Sequence, residues 1–172
     1  MKPLMPITFY PEPDPKAFVT KLFQIFMVVV LCRSGALLAD DSIQNSAVIS
    51  KEALLLQHPK FRENFDQYEV LEDAAKIPAD VSVLIFFGTW CHDSQREVPR
   101  MLKILEAVGL PEAHIKMVTL DFSKTDPGGL AAANGVEFTP TFIFFRQQEE
   151  IGRIIEKPAK TLEEAMVELL SE

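Results

Sequence analysis

The chain has 172 residues, 48% of them hydrophobic, with 17 basic and 25 acidic side chains and a net charge of −8. That length accommodates one domain with a full core plus an appendage. The acidic balance excludes nucleic acid and anionic lipid surfaces as partners, because both select basic proteins, and two cysteines and three histidines at wide spacing do not form a structural zinc pattern.

The first 39 residues read as an export signal. Lys21 precedes the apolar run Leu22–Leu31, followed by the small and polar segment Cys32, Arg33, Ser34, Gly35, Ala36 and then Leu37, Leu38, Ala39. A basic start, a short apolar run and a small-residue cleavage site define such signals. Cleavage falls after Ala36, with Ser34 at −3, or after Ala39, with Leu37 at −3. The stretch before Lys21 is long and proline-rich, which raises a later start codon as an alternative. A ten-residue run is too short to span a bilayer, and Arg33 interrupts its extension. An uncleaved signal is the one route to a membrane. Lipid attachment at Cys32 is disfavoured because Leu31 stands where a small residue is required. Residues 1–39 hold four of the basic and two of the acidic residues, so the exported part keeps 13 against 23, a net of −10, and one cysteine. A secreted chain with a single thiol makes no internal disulfide, so Cys91 is reactive, paired with another molecule, or buried.

Residues 40–78 read as a helical lead-in. Ser50 is placed to cap Lys51–Gln57 and Pro59 to end that helix. Phe61, Phe65 and Tyr68 recur at i, i+4 and i+7, and Leu71, Ala74 and Ala75 continue the period. Aromatics at this spacing face a core, so these helices support the domain and do not form a substrate site. His58 reads as a surface turn residue.

Val81–Phe87 is an almost unbroken apolar run, a strand buried on both faces. It turns through Gly88 and Thr89 into Trp90, Cys91, His92, Asp93 and Ser94, where a helical period begins. Cys91 therefore sits at a strand-to-helix junction. Backbone N–H groups and the positive end of the helix dipole converge there and lower a thiol pKa. Val98, Met101, Leu102, Leu105 and Val108 form the apolar stripe of that helix, Gly109 and Pro111 close it, and Pro99 is expected to kink it. A second strand follows at Ile115–Phe122. Asp126-Pro127-Gly128-Gly129 is turn chemistry, and Leu130–Ala133 forms a short helix stopped by Asn134-Gly135. Strands Thr141–Phe145 and Glu150–Ile155 make a hairpin around Gln147-Gln148. The last helix opens with a capping box, Thr161 and Glu164, and carries Leu162, Met166, Leu169 and Leu170.

The order β-α-β-α-β-β-α predicts an α/β domain with a mixed central sheet flanked by helices, behind an N-terminal helical extension. Thr139-Pro140 is the other feature of note. An X-Pro bond is where a cis peptide is cheap, and cis geometry turns the Thr139 backbone towards the helix N-terminus, where it can hydrogen-bond an extended peptide or the glutathione backbone. A trans proline opening an edge strand is the alternative.

Three features together, Trp90-Cys91 after a buried strand, Pro99 in the following helix and Thr139-Pro140-Thr141 before the next strand, make residues 79–172 resemble the thioredoxin-like superfamily. The resemblance implies a thioredoxin-like fold, a cis Pro140 facing the active Cys91, and thiol–disulfide chemistry. The segment Trp90-Cys91-His92-Asp93-Ser94 is also similar to a bacterial group of thioredoxin-family proteins with a Trp-Cys-x-Asp-Ser motif.

Two departures qualify what the resemblance implies. Ser94 replaces the second cysteine of a Cys-x-x-Cys pair, so a mixed disulfide on Cys91 must be released by an external thiol. Ile85 stands where many thioredoxins carry a buried acid, so that internal proton acceptor is missing. Ser94 can donate a hydrogen bond to the thiolate, and an imidazolium at His92 would stabilise it, whereas Asp93 would oppose it. A phosphatase loop requires a cysteine–arginine spacing one residue longer than Cys91 to Arg96, and a metal site from Cys91, His92 and His114 is not predicted by the spacing. The expected function is that of an exported, periplasmic or otherwise secreted, monothiol thiol–disulfide oxidoreductase with Cys91, Ser94 and His92 in the catalytic site. Trp90, Thr139 and Pro140 would flank the substrate, glutathione or protein thiols and disulfides would be partners, and no cofactor is needed beyond glutathione as a co-substrate. A non-catalytic peptide-binding or chaperone-like module is the alternative.

Overall fold

A computed structural model describes residues 47–171. The export signal and its cleavage positions lie outside the described residues. The elements are α1 (Lys51–Gln57), α2 (Pro59–Gln67), a 3-10 turn (Glu72–Lys76), β1 (Ser82–Phe87), α3 (His92–Ala107), a second 3-10 turn (Glu112–His114), β2 (Ile115–Thr119), α4 (Leu130–Ala133), β3 (Thr141–Arg146), β4 (Glu149–Ile155) and α5 (Leu162–Leu170). They form a thioredoxin-like α/β fold. The strand order is β2-β1-β3-β4. β1 runs parallel to β2, with Val83 opposite Ile115, and antiparallel to β3, with Phe86 opposite Thr141. β3 and β4 are antiparallel.

β1 lies at the centre, which is why its sequence is apolar in both registers. Val83, Ile85 and Phe87 enter the larger core with Leu54, Phe61, Val98, Met101, Leu102, Leu105, Phe142, Phe144 and Met166. Phe86 points the other way, into a smaller cluster with Val118, Leu120, Ala131 and Ile143. The alternation follows from the period of two along a strand. Leu54 and Phe61 bring α1 and α2 into the main core, and the Phe61 ring lies 5.7 Å from that of Phe87. The segment before residue 79 therefore supplies core side chains.

Most expected elements recur with small shifts. Ser50 caps α1 by accepting from the Ala53 N–H at 3.1 Å. Pro59 does more than end α1: it opens α2 as its first residue, where a missing N–H costs nothing. α3 runs through Pro99 as one 16-residue element and ends at Gly109 (φ 75°). There the Leu110 N–H donates to Leu105 O and the Gly109 N–H to Glu106 O, the paired bonds of a Schellman cap. β2 stops at Thr119, short of Phe122, because Asp121 and Thr125 close a turn of their own. Of Leu71, Ala74 and Ala75, only Ala74 is buried, since this stretch is a 3-10 turn and the α period does not carry on. Gln147 and Gln148 both adopt positive φ, 51° and 71°, as a two-residue hairpin requires. Thr161 and Glu164 make the expected capping box on α5. Ala47–Ile49, expected within a helical region, is instead extended along β2, with Thr119 N donating to Ala47 O and Ile49 N to Met117 O. It covers that edge of the sheet.

Candidate active site

The end of β1 and the start of α3 are joined by a turn that three hydrogen bonds hold in place. Cys91 N–H donates to Gly88 O at 3.0 Å, the Gln95 side-chain amide donates to Thr89 O at 2.8 Å, and Gly88 N–H donates to the Ser94 hydroxyl oxygen at 3.3 Å. Cys91 is the N-cap of α3 and is partly exposed. Ser94, one turn on, is fully buried. A Cβ on Gly88 would lie 2.6 Å from Trp90 Cε2, so glycine is what lets the indole fold back over the turn. Trp90 Nε1 donates to Leu120 O at 3.2 Å, and its ring stacks on Phe122 with centroids 4.7 Å apart.

The opposing wall comes from the approach to β3. The Thr139-Pro140 bond is cis, and both residues are buried. The Thr139 carbonyl oxygen lies 3.2 Å from Cys91 Sγ, where it accepts from the thiol. Glu156 N–H donates to Pro140 O at 2.7 Å and fixes the strand end behind it. The Thr139 carbonyl thus meets the Cys91 thiol, with Trp90 and Pro140 as their neighbours in the chain. His92 is the first residue of α3 and exposed. Ile85 is buried in β1 between Met117 and Phe142.

Burial pushes the Cys91 thiol up, but the Thr139 side chain, the Ser94 N–H and hydroxyl and the Asp93 N–H act against it, and the pKa falls below the ordinary thiol value. The Thr139 carbonyl, which accepts from the thiol, favours the protonated form; among the influences that lower the pKa the Thr139 side chain is the largest, with Ser94 and the Asp93 N–H behind it. Ser94 serves twice, accepting from the Gly88 N–H and lowering the Cys91 pKa. The Asp93 carboxylate pairs with Arg96 at 2.6 Å, which offsets its negative charge.

Several neighbours were not legible as site residues. Phe122, read as the end of a strand, is 78% exposed, and Phe138, 44% exposed, precedes Thr139 directly. Lys124 Nζ lies 5.4 Å from the Phe138 centroid and links the two loops. Gln95 carried no motif. Adjacency to Thr139-Pro140 was the one available signal, and it pointed to Phe138 alone. Farther along α3, Glu97 is buried and paired with Arg96 and Arg100. Arg100 lies over the Tyr68 ring at 5.2 Å, and the Tyr68 hydroxyl donates to both oxygens of the fully buried Glu163, at 2.9 and 3.0 Å.

Against known proteins, the thioredoxin family matches residues 41–170. The chain belongs to the thioredoxin family. No curated protein matches the sequence. Among solved structures, this family member is similar to Fasciola hepatica thioredoxin (20% identity, covering 52% of this chain and 81% of that one, TM-score 0.40). It is also similar to thioredoxin O2 from Arabidopsis thaliana in the oxidized state (18%, 57% and 84%, TM-score 0.41) and to mitochondrial thioredoxin 3 from Saccharomyces cerevisiae (21%, 66% and 87%, TM-score 0.38). In this thioredoxin-family chain a serine, Ser94, stands three residues after Cys91.

Proposed function

We propose that the protein is a monothiol thiol–disulfide oxidoreductase that works outside the cytoplasm once residues 1–39 are removed. The observation that carries this reading is Cys91 at the N-cap of α3, with Sγ facing the Thr139 carbonyl and a pKa below that of an ordinary thiol. The order of Lys21, the apolar run Leu22–Leu31 and the small residues after it supports export.

The chemistry balances with one thiol. The Cys91 thiolate attacks one sulfur of a disulfide, a Cys91 mixed disulfide forms, and the other sulfur leaves as a thiolate that takes a proton from water. Ser94 has no thiol with which to displace the bound half. A second, external thiol attacks the mixed disulfide, carries off the bound group as a new disulfide and returns Cys91 to the thiolate. Ser94 and the helix N-terminus hold negative charge on sulfur in both steps, His92 stands beside Cys91 at the start of α3, and Trp90, Thr139 and Pro140 border the substrate. Glutathione and protein cysteines are the two classes of partner.

The exposed rings of Phe122 and Phe138 favour a second reading, a peptide-binding module that uses the same surface without chemistry. Trapping separates the two. The protein is purified from its native compartment without reductant, and whatever is disulfide-linked to Cys91 is identified by mass spectrometry. A linked protein or glutathione is expected. Full biological activity in Cys91→Ser, with nothing linked in the wild type, overturns the redox reading.

A further inference from the structure

We propose that a cavity at the end of the domain opposite Cys91 is a binding site for small organic cations, an ammonium group carried on an apolar body of one or two rings. The site is separate from the thiol and stands whether or not the exchange reading holds.

β1 and β2 run parallel, with Val83 opposite Ile115 at one end and Phe87 opposite Thr119 at the other. Cys91 follows the Phe87 end, so Ile115 stands at the far end of the sheet. The 16 residues of α3 likewise put about 24 Å of helix between the thiol and the helix C-terminus. At that far end the start of α1, the end of α3 and the start of β2 enclose a cavity of about 450 Å³. Its walls are apolar: Leu102, Leu110 and Met117 are buried, and Ile49 and Ile115 are half-buried beside them. Ligand pockets run from about 300 to 1,000 Å³ and combine such walls with a few polar groups, so this volume suits a small molecule.

Charge selects the occupant. Lys51 lies between two carboxylates that line the cavity, 3.2 Å from Glu106 Oε2 and 3.1 Å from Glu112 Oε1. Two carboxylates against one ammonium leave this wall negative. The exposed Glu52 is next in the chain, and the C-terminal end of α3 adds its own partial negative charge. The Glu106 and Glu112 side chains are 58% and 65% exposed, so a cation arriving from water reaches them directly. Ion pairs this exposed contribute little, so Lys51 yields its place or shares it at small cost. An anionic ligand meets net repulsion instead. An amine on an apolar body matches both parts of the site, its rings against Leu110 and Met117 and its ammonium between Glu106 and Glu112.

The test uses the full-length protein with its isoleucine, leucine and methionine methyl groups labelled for NMR. The probes share one ring system and differ in charge: naphthylethylamine, naphthylethanol and naphthylacetate. At millimolar concentration the amine is expected to shift the methyl signals of Ile49, Leu110, Ile115 and Met117. It is expected to bind about five-fold tighter than the alcohol, the scale of one exposed ion pair, with the acetate weakest. Combining Glu106→Gln with Glu112→Gln is expected to bring amine and alcohol within about two-fold of each other. Lys51→Met removes the competing ammonium and is expected to tighten the amine and leave the alcohol unchanged. No shift with the amine, shifts that fall outside the cavity, an acetate that binds as well as the amine, or an amine that loses affinity in Lys51→Met overturns the inference. So does movement of the same methyl signals on dilution of the protein alone, which would mean that a second copy fills the cavity.

Discussion

The carbonyl oxygen of Thr139 and the sulfur of Cys91 stand 3.2 Å apart, across residues 48 positions distant in the chain. The contact is favourable only while sulfur carries its proton, so it works against the donors at the start of α3. The Thr139 side chain acts with those donors and lowers the thiol pKa. Thr139→Val keeps the shape and the carbonyl but removes the hydroxyl. Removing a group that lowers the thiol pKa raises it, so the variant is expected to titrate higher than the wild type. Iodoacetamide alkylation across pH measures it.

The same shift has a consequence for stability. The Cys91 pKa is lower folded than unfolded, so the unfolded chain holds more of this proton between the two values and stability rises with pH through that window. The contribution is complete above the unfolded thiol pKa and is lost as pH falls through the folded one. Urea unfolding of the wild type across this range is expected to show the rise. Cys91→Ser is expected to lack it.

Ser94 offers a test of the one-thiol mechanism. Ser94→Cys places a second thiol one helical turn from Cys91, and a mixed disulfide preformed on Cys91 is then expected to be released without added thiol. The wild type is expected to hold it until an external thiol is supplied. Mass spectrometry of the intact protein over time distinguishes the two. Spontaneous release from the wild type would mean that another group resolves the intermediate.

Gly88→Ala tests how the turn is built. Its Cβ would overlap the Trp90 indole at 2.6 Å, so the ring must move, and its bond to Leu120 O and its stack on Phe122 are lost. Overpacking of this kind costs about 1–3 kcal/mol. A shift in Trp90 emission with a matching loss in urea midpoint is expected.

What was legible in the sequence was local. The run at Val81–Phe87, the stripe through Met101 and Leu105, the Thr161 and Glu164 box and the Gln147-Gln148 hairpin are patterns of adjacent residues, and each recurs in the structure. What was missed depends on contacts between distant segments. Pro59 fits both the end of one helix and the start of the next, and only the packing of Phe61 on Phe87 selects the second. Glu163 looks like a surface residue until Tyr68 and the Leu71 N–H are brought to it. Phe122 reads as a strand end, and its place against Trp90 appears only once β2 stops at Thr119.

The buried Glu163 makes a prediction for the lead-in segment. It accepts from the Tyr68 hydroxyl and the Leu71 N–H, joining the end of α2 to the first turn of α5. Tyr68→Phe leaves a buried carboxylate short of a donor, at a cost of about 1–3 kcal/mol. Equilibrium unfolding in urea is expected to show that loss.

The most direct test of the central claim, an activated thiol at Cys91, is the pH dependence of its alkylation in the wild type, with Cys91→Ser as the blank. The account predicts an apparent pKa below the free-thiol value of about 8.5. A value at or above it would contradict the account.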